Sequence, residues 1–284
     1  MAVSIDGAVV EPATASISVF DRGLLFGDGC FEVLRTWEGN AVELAAHLDR
    51  LHSSAAALQL RMLPRTELTA AILRTLAAAG AGEHRIRIVV TRGPGGLAAD
   101  TGSLGPGRAI VIVEPLGAQP TELSAAIVDW PLAPRHGPAH KTLAYLDHVI
   151  ARDLARAAGA DEAIRLGADG RAVEGATSTL YAVLEGTVVT APLTSGILPG
   201  IVRARVLAAC AALAIPWRES TFELAELRGA DEIFASSSLR GVVPITKLDG
   251  VPRAAGAITA RIAAAVTTAL RTHASSATSD RLPG

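Results

Sequence analysis

The chain has 284 residues, of which 50% are hydrophobic, with a formal net charge of −2 and a sequence pI near 6.4. This charge offers no electrostatic basis for binding nucleic acid or an anionic membrane surface. The long alanine-rich runs are interrupted by Arg, Glu or Gly, so none is expected to span a membrane. Two cysteines and scattered histidines predict neither a disulfide framework nor a metal site. Without a signal-peptide pattern at the N-terminus, the expected location is cytoplasmic.

The first half of the chain predicts, in order, a hairpin, two helices and two strands, at residues 3–10, 41–60, 65–79, 86–90 and 109–113. The hairpin depends on Asp6-Gly7, a dipeptide that favours the left-handed backbone of a two-residue turn. The helices depend on apolar residues at helical spacing, and the strands on short apolar or alternating runs. Gln119-Pro120 interrupts these patterns. Residues 117–124 are therefore predicted to link a domain of residues 1–116 to one of residues 125–284.

The second half predicts short strands mixed with three longer helices. The strands are expected at 125–129, 161–166, 180–184, 188–190, 233–235 and 243–247, and the helices at 142–158, 201–213 and 255–273. Because strands and helices alternate without a regular βαβ rhythm, we predict the α+β class, with two domains, in preference to a doubly wound sheet.

Lys141 is one of only two lysines among 26 Lys and Arg residues; the other is Lys247. Arginine stays protonated in proteins, whereas a lysine can lose its proton and act as a nucleophile or Schiff-base former. The scarcity alone is weak evidence, since an arginine-rich composition removes lysines without regard to function. Tyr145 follows four residues later, so in a helix the two side chains would share one face. A solvated surface lysine is the alternative interpretation.

Other residues could serve a pyridoxal-phosphate site, which needs a lysine, a carboxylate for the ring nitrogen and a cup for the phosphate. Glu174 follows the Asp169-Gly170 turn on a predicted strand. Pro199-Gly200 precedes a predicted helix, whose N-terminal N–H groups favour an anion. Three serines, residues 236–238, add hydroxyl donors, and Arg50 adds a charge. Each of these residues alone is more often structural.

Several blocks of the sequence occur in the order typical of one known family. They are Asp21-Arg22-Gly23, the run from Phe26 to Arg35, and residues 47–51, 141–146, 159–163, 173–178, 197–203 and 230–234. Each block is weak alone, but together, over about residues 3–255, they form a specific signal. By these blocks the chain resembles the class IV (fold type IV) pyridoxal-phosphate enzymes. That family includes branched-chain and D-amino-acid aminotransferases, R-selective amine transaminases and aminodeoxychorismate lyases.

The resemblance implies a small N-terminal α/β domain and a larger C-terminal α/β domain that binds pyridoxal 5'-phosphate. It implies that Lys141 forms the Schiff base and then moves the substrate proton, and that Glu174 pairs with the ring nitrogen. The other implied cofactor contacts are Arg50, Tyr145, Ile201, Val202, Ser237 and Ser238, and the implied substrate contacts are Phe31, Arg35, Arg87 and Arg240. It further implies an amino acid or amine and a 2-oxo acid as substrates. A homodimer, or a larger assembly, with active sites beside the subunit interface is also expected.

Two departures from family patterns bear on the reaction. D-amino-acid aminotransferases carry an arginine and a histidine after a Thr-Arg-Gly block to hold the substrate carboxylate, and residues 94–99 contain neither. Residues 238–241, Ser-Leu-Arg-Gly, resemble the corresponding turn of some lyase-type members. The first prediction is transamination. The alternatives are aminodeoxychorismate lyase, which releases pyruvate and 4-aminobenzoate, and a degenerate member that binds the cofactor without turnover.

Overall fold

The strands form two separate sheets, seen in a computed structural model that describes residues 1–97, 107–130, 132 and 139–276. The described residues fall into two compact units. The first comprises those of Met1–Gly117, His140–Tyr145 and Arg271–Gly284, and the second those of Ala118–Ala139 and Leu146–Leu270. The predicted α+β class with two domains is confirmed at the level of fold, whereas the domain limits drawn from the sequence stay a prediction.

The first unit contains six strands and three helices. They are β1 (Ala2–Ile5), β2 (Ala8–Val10), α1 (Arg22–Phe26), β3 (Gly29–Trp37), β4 (Asn40–Ala41), α2 (Leu44–Ala57), α3 (Arg65–Ala79), β5 (His84–Thr91) and β6 (Arg108–Pro115). The sheet has the order β2-β1-β6-β5-β3-β4, and all neighbouring strands pair antiparallel. The turn of the first hairpin is the predicted one, because Asp6 and Gly7 both adopt positive φ angles, of 49° and 85°.

Helix α2 packs against β3, and helix α3 packs against β1 and β6. Their apolar faces cover one core, which includes Leu34, Leu51, Ile72 and Ile86. The sequence pattern does not predict β3, although this strand lies inside the sheet. Its first four residues are all buried, so the alternation that marks a strand with one solvated face is missing.

The second unit contains the remaining strands and helices. They are β7 (Leu123–Ile127), α4 (Leu146–Ala157), β8 (Glu162–Leu166), β9 (Ala172–Gly175), β10 (Thr179–Leu184), β11 (Thr187–Thr190), α5 (Ile201–Ala212), β12 (Trp217–Glu219), α6 (Leu224–Gly229), β13 (Glu232–Ser237), β14 (Gly241–Leu248), β15 (Val251–Pro252) and most of α7 (Ala257–Ser276). The strand order is β12-β11-β10-β13-β14-β7-β8-β9, with β15 paired to β14. Three pairs are parallel, β11 with β12, β14 with β7, and β7 with β8.

Two tight hairpins lie in this unit. Glu185-Gly186 connects β10 to β11 and Asp249-Gly250 connects β14 to β15, with positive φ at both positions of each turn. Tyr181 and Phe234 stack across the β10–β13 pair with ring centroids 4.5 Å apart. Among the described helices, none is long and apolar enough to cross a membrane.

Candidate active site

The segment that carries Lys141 pairs with the first residues of β3. The Phe31 N–H donates to the Lys141 carbonyl, and the Leu143 N–H donates to the Gly29 carbonyl, each at 2.9 Å. These two bonds fix the main chain of Lys141 on both sides of its side chain. The position of the lysine is therefore set by a strand rather than by a loop that is free to move.

The predicted helix over 142–158 is wrong in its first turn. Helix α4 begins only at Leu146, and Thr142 forms an isolated β-bridge with Cys30. Because the main-chain groups of this segment pair with β3, they are not available for helical bonds. Lys141 and Tyr145 consequently do not share a helix face, and their proximity arises in another way.

An aromatic ring, Phe31, gathers three of the predicted site residues. The Lys141 Nζ atom lies 4.6 Å from the Phe31 ring centroid, and the Arg87 guanidinium lies 4.2 Å from the same centroid. Tyr145 packs edge-to-face on Phe31 at 5.2 Å, and its ring lies 5.5 Å from Lys141 Nζ. The structure thus brings Lys141, Tyr145, Phe31 and Arg87 together, as a primary amine and a cation beside two aromatic walls.

Arg35 lies elsewhere on the same strand. It is four residues from Phe31, which in a β-strand corresponds to about 13 Å. Its guanidinium lies 4.9 Å from the Trp37 ring centroid, and its Nε donates to the Thr36 carbonyl. The structure therefore does not place Arg35 with Lys141, and its predicted contact with substrate has no support from the geometry.

Arg50, predicted to bind phosphate, is held by a buried carboxylate that the sequence analysis did not assign a role. Nε and Nη2 of Arg50 donate to the two oxygens of Glu32, each at 2.7 Å, and the Glu32 side chain is 0% exposed. His47 Nδ1 lies 2.6 Å from Glu32 Oε2. Since an ionised carboxylate only accepts, Nδ1 carries the proton of this bond. Glu32, which is itself held by His47, orients the Arg50 guanidinium from α2 toward β3.

Burial alone raises the pKa of Glu32, but the hydrogen bonds from Arg50 and His47 outweigh it and hold the pKa at about 2, below its ordinary value of 4.5. Folding therefore gains stability from this group above about pH 4.5 and loses it as the pH falls toward 2. Burial also lowers the pKa of His47, so that acidification must charge a buried ring. Both groups make the fold less stable in acid.

We expect Glu32→Gln to lower the free energy of unfolding at pH 7 by about 3–5 kcal/mol, because it leaves the buried cation of Arg50 without its counter-charge. Urea unfolding of the apoprotein measures this. The matched control is Glu114→Gln, which removes the partner of Arg85 in a far more exposed pair of the same unit and should cost less than about 1 kcal/mol. Equal free energies of unfolding for the two variants would contradict the role of Glu32 as the buried counter-charge of Arg50.

Glu174 is the third residue of β9, and it is buried with 7% exposure. Its Oε2 accepts the Leu198 N–H at 3.3 Å. Across the ladder it faces Arg165 of β8, a fully buried arginine whose Nε donates to the Trp130 carbonyl at 3.4 Å. Directly opposed residues of an antiparallel pair project from the same sheet face. A carboxylate held in this way is suited to pair with a cationic nitrogen.

The N-terminus of α5 supplies main-chain donors in the same unit. Gly200 is the N-cap residue, and the first helical hydrogen bond runs from Ala204 N–H to the Gly200 carbonyl. The N–H groups of Ile201 and Val202 therefore have no acceptor within the helix. A Cβ at Gly200 would lie 2.9 Å from Thr179 Oγ1, so this tight entry to the helix requires glycine. Such a terminus binds anions.

The turn between β13 and β14 holds Ser237, Ser238 and Arg240. The strand runs through Ser237, two residues beyond the predicted end at residue 235. Arg240 does not project freely, because its guanidinium is bonded to Ser237 Oγ, Thr177 Oγ1 and Glu162. Glu162 is a second buried carboxylate that sequence reasoning missed. Its one sequence signal is a charged residue at the start of an apolar strand.

Comparison with known proteins agrees with the kind of site that this geometry indicates. Residues 29–248 match the model of the family described as Amino-transferase class IV. A putative branched-chain-amino-acid aminotransferase of Methanocaldococcus jannaschii is 35% identical over 255 residues, with 88% of each chain covered. A D-alanine aminotransferase of Bacillus licheniformis is 30% identical over 265 residues, covering 90% of this chain and 92% of its own.

A solved structure is similar over nearly the whole chain. The branched-chain aminotransferase of Thermoproteus uzoniensis superposes with a TM-score of 0.90 at 32% identity, covering 96% of this chain and 95% of its own. The chain therefore belongs to the class IV aminotransferases. It is a pyridoxal-phosphate-dependent transaminase, and an amino acid and a 2-oxo acid are its substrates. The residues present fit the cofactor. The first unit offers an amine and a guanidinium, those of Lys141 and Arg50. The second unit offers the Glu174 carboxylate and the free N–H groups at the start of α5.

Proposed function

We propose that Lys141 holds the cofactor and moves the substrate proton, and that the amino donor is an L-amino acid with a branched apolar side chain. The observation that carries the proposal is the placement of Lys141 Nζ and the Arg87 guanidinium on one ring, at 4.6 and 4.2 Å from the Phe31 centroid. Such a pair offers an amine for exchange and a cation for a carboxylate within a short span.

Two further points support the choice of donor. The Methanocaldococcus and Thermoproteus proteins are named as branched-chain aminotransferases. In addition, the arginine and histidine expected of a D-amino-acid enzyme are missing from residues 94–99. A carboxylate is instead expected to meet Arg87, whose own pKa burial lowers without removing its charge at neutral pH.

Pyridoxal phosphate, when bound, supplies the electron sink for the substrate α-carbon. In the proposed mechanism Lys141 takes the proton from that carbon and returns it at C4′, as a general base and then a general acid. Glu174 would stabilise a proton on the ring nitrogen. Arg50, and separately the N–H groups of Ile201 and Val202, would be donors for the phosphate. Each role uses a group whose position the protein fixes before substrate arrives.

The lyase alternative depends on the turn that contains Arg240. Its guanidinium already bonds to Glu162, Thr177 and Ser237, which weakens the case for Arg240 as the anchor of a substrate carboxylate. This agrees with the transaminase class to which the chain belongs; pyruvate release from aminodeoxychorismate without an amino acceptor would contradict it.

Single-turnover reactions of the holoprotein test the proposed donor. Loss of the cofactor absorbance should be fastest with L-leucine, slower with L-alanine, and slowest with D-alanine and R-1-phenylethylamine. Arg87→Gln should raise KM for L-leucine by about 10-fold or more, the effect of a lost charge-assisted hydrogen bond, and leave the reaction with the carboxylate-free amine unchanged. A faster reaction with D-alanine than with L-leucine, or an equal effect of the substitution on both donors, would reject it.

We also propose that the protein is a homodimer through an apolar surface of the first unit. We call this the α1 surface; it comprises Ile17, Val19, Phe20, Leu24, Leu25 and Phe26, each 38–68% exposed. Exposed apolar residues that lie this close together along the chain are typical of an interaction site. Directly after it, Gly27 approaches the segment of Lys141, since a Cβ there would lie 3.0 Å from the Ala144 nitrogen. An interface on this surface would therefore border Lys141.

Light scattering should give the mass of two chains for the natural sequence and of one chain for a Phe20→Glu, Leu24→Glu variant, because the charges cannot be buried unpaired. Val251→Glu changes an equally exposed apolar residue of the second unit and should leave the mass unchanged. A dimeric double variant would exclude the α1 surface as the interface. The cytoplasmic location expected from the sequence remains a prediction.

A further inference from the structure

One buried carboxylate, that of Glu162, ties together three segments of the second unit. Glu162 stands at the start of β8 with 1% of its side chain exposed. Its oxygens accept hydrogen bonds from Thr177 Oγ1 at 2.7 Å, Ser178 Oγ at 3.0 Å and Arg240 Nη2 at 3.0 Å. Thr177 and Ser178 lie two and three residues after the end of β9, the strand of Glu174, and Arg240 belongs to the turn after β13. The carboxylate thus connects the two segments predicted to contact the cofactor.

The main chain leaves room for this carboxylate. A Cβ at Gly175, next to Glu174, would lie 3.3 Å from Glu162 Cδ and 2.3 Å from Ser178 Oγ. The 2.3 Å distance is shorter than real Cβ contacts, so a side chain at residue 175 would displace the Ser178 hydroxyl. The backbone next to Glu174 therefore passes close to Ser178 and to Glu162, and glycine at residue 175 leaves the Ser178 hydroxyl in place.

Arg240 neutralises the charge of Glu162 and at the same time orients a serine. Besides Glu162, it bonds to Thr177 Oγ1 at 2.9 Å, and its Nε donates to Ser237 Oγ at 3.2 Å. A hydroxyl has one proton and two lone pairs. Because the guanidinium occupies a lone pair of Ser237, the hydroxyl proton must turn toward another acceptor, and the adjacent cation makes it a stronger donor. An anion is the acceptor that such a donor favours.

A buried ion pair is weak evidence for stability, since desolvation offsets most of the attraction. The ion pair of Glu162 and Arg240 is better explained by where it holds the neighbouring turn than by its contribution to the free energy of unfolding. We propose that Glu162 and Arg240 form a clasp that positions the Ser237–Ser238 turn for the phosphate of the cofactor, so that Arg240 is a positioning residue rather than a ligand of substrate. This inference depends on the proposed role of the two serines in phosphate binding.

Comparing pyridoxal phosphate with pyridoxal, which lacks the phosphate, tests the clasp. We expect Arg240→Gln and Glu162→Gln each to weaken binding of pyridoxal phosphate to the apoprotein by about 10-fold or more, as for loss of a charge-assisted hydrogen bond. The double variant should bind about as weakly as either single variant, because both act through one pair. Affinity for pyridoxal should stay as in the natural protein, and Arg240→Lys should restore part of the loss.

Arg228→Gln is the matched control, since it breaks a largely exposed Arg–Asp pair of the same unit and should change neither affinity. If Glu162→Gln does not fold, the two Arg240 variants decide the question. Unchanged pyridoxal-phosphate affinity of Arg240→Gln, or an equal loss for both compounds, would overturn the clasp and leave the proposed function intact. A natural protein that binds neither compound would refute the proposed function itself.

Discussion

Replacing Lys141 by alanine should abolish the cofactor absorbance at about 410–420 nm that covalent attachment to a lysine produces. It should also lower kcat by at least about 10²–10⁴-fold, the usual contribution of a positioned proton-transfer group. The physical reason is that no other described amine lies against Phe31 and Tyr145. The fold should survive, because the bonds that hold this segment to β3 are main-chain bonds.

Two control variants test whether the effect is specific to Lys141. Lys247, the only other lysine, is exposed on β14, and Lys247→Ala should retain both absorbance and turnover. Lys141→Arg keeps the positive charge but cannot shed its proton, so it should be as inactive as the alanine variant. After borohydride reduction, mass spectrometry should find the cofactor on a single peptide, which contains residue 141. Cofactor attached to the peptide that contains Lys247 would show that Lys141 is not the Schiff-base lysine.

Features that depend on neighbours in sequence were predictable. The turn at Asp6-Gly7 and helix α3, which begins and ends at the predicted residues, follow from local conformational preference and from apolar spacing. The resemblance to the class IV family was confirmed, because it combined several short blocks in one order. The roles of individual residues stay predictions that the experiments above address.

Features that depend on distant partners were not predictable. The sequence predicts a helix that begins at Thr142, but the main-chain groups of this segment pair with β3, more than a hundred residues earlier, and the helix begins only at Leu146. Glu32 and Glu162 gave little signal, because a buried carboxylate is recognised only by its partners. Arg50 lies 18 residues from Glu32, and Arg240 lies 78 residues from Glu162. Sequence spacing carries no information about such pairs.

Glu174→Gln should lower kcat by about 10²–10³-fold, the cost of removing one group that stabilises charge in the transition state. The amide keeps the shape of the side chain and can still accept the Leu198 N–H, but it loses the negative charge that we propose stabilises a proton on the ring nitrogen. Cofactor absorbance should persist, because the substitution changes neither Lys141 nor the residues proposed to bind the phosphate. Glu174→Gln should therefore lower kcat alone, whereas Lys141→Ala should remove both the cofactor absorbance and turnover.

The pH dependence distinguishes this role from a structural one. Without the carboxylate, the ring nitrogen holds its proton only in more acidic solution, so the deficit of Glu174→Gln relative to the natural enzyme should shrink as the pH falls from 8 to about 6. Glu32 stays ionised throughout this range, since its pKa is about 2, and acid loss of that ion pair does not interfere. A deficit that is constant with pH, together with a lowered free energy of unfolding, would mean that Glu174 supports the fold rather than the ring. Normal turnover of the variant would show that the pyridine nitrogen has a different partner.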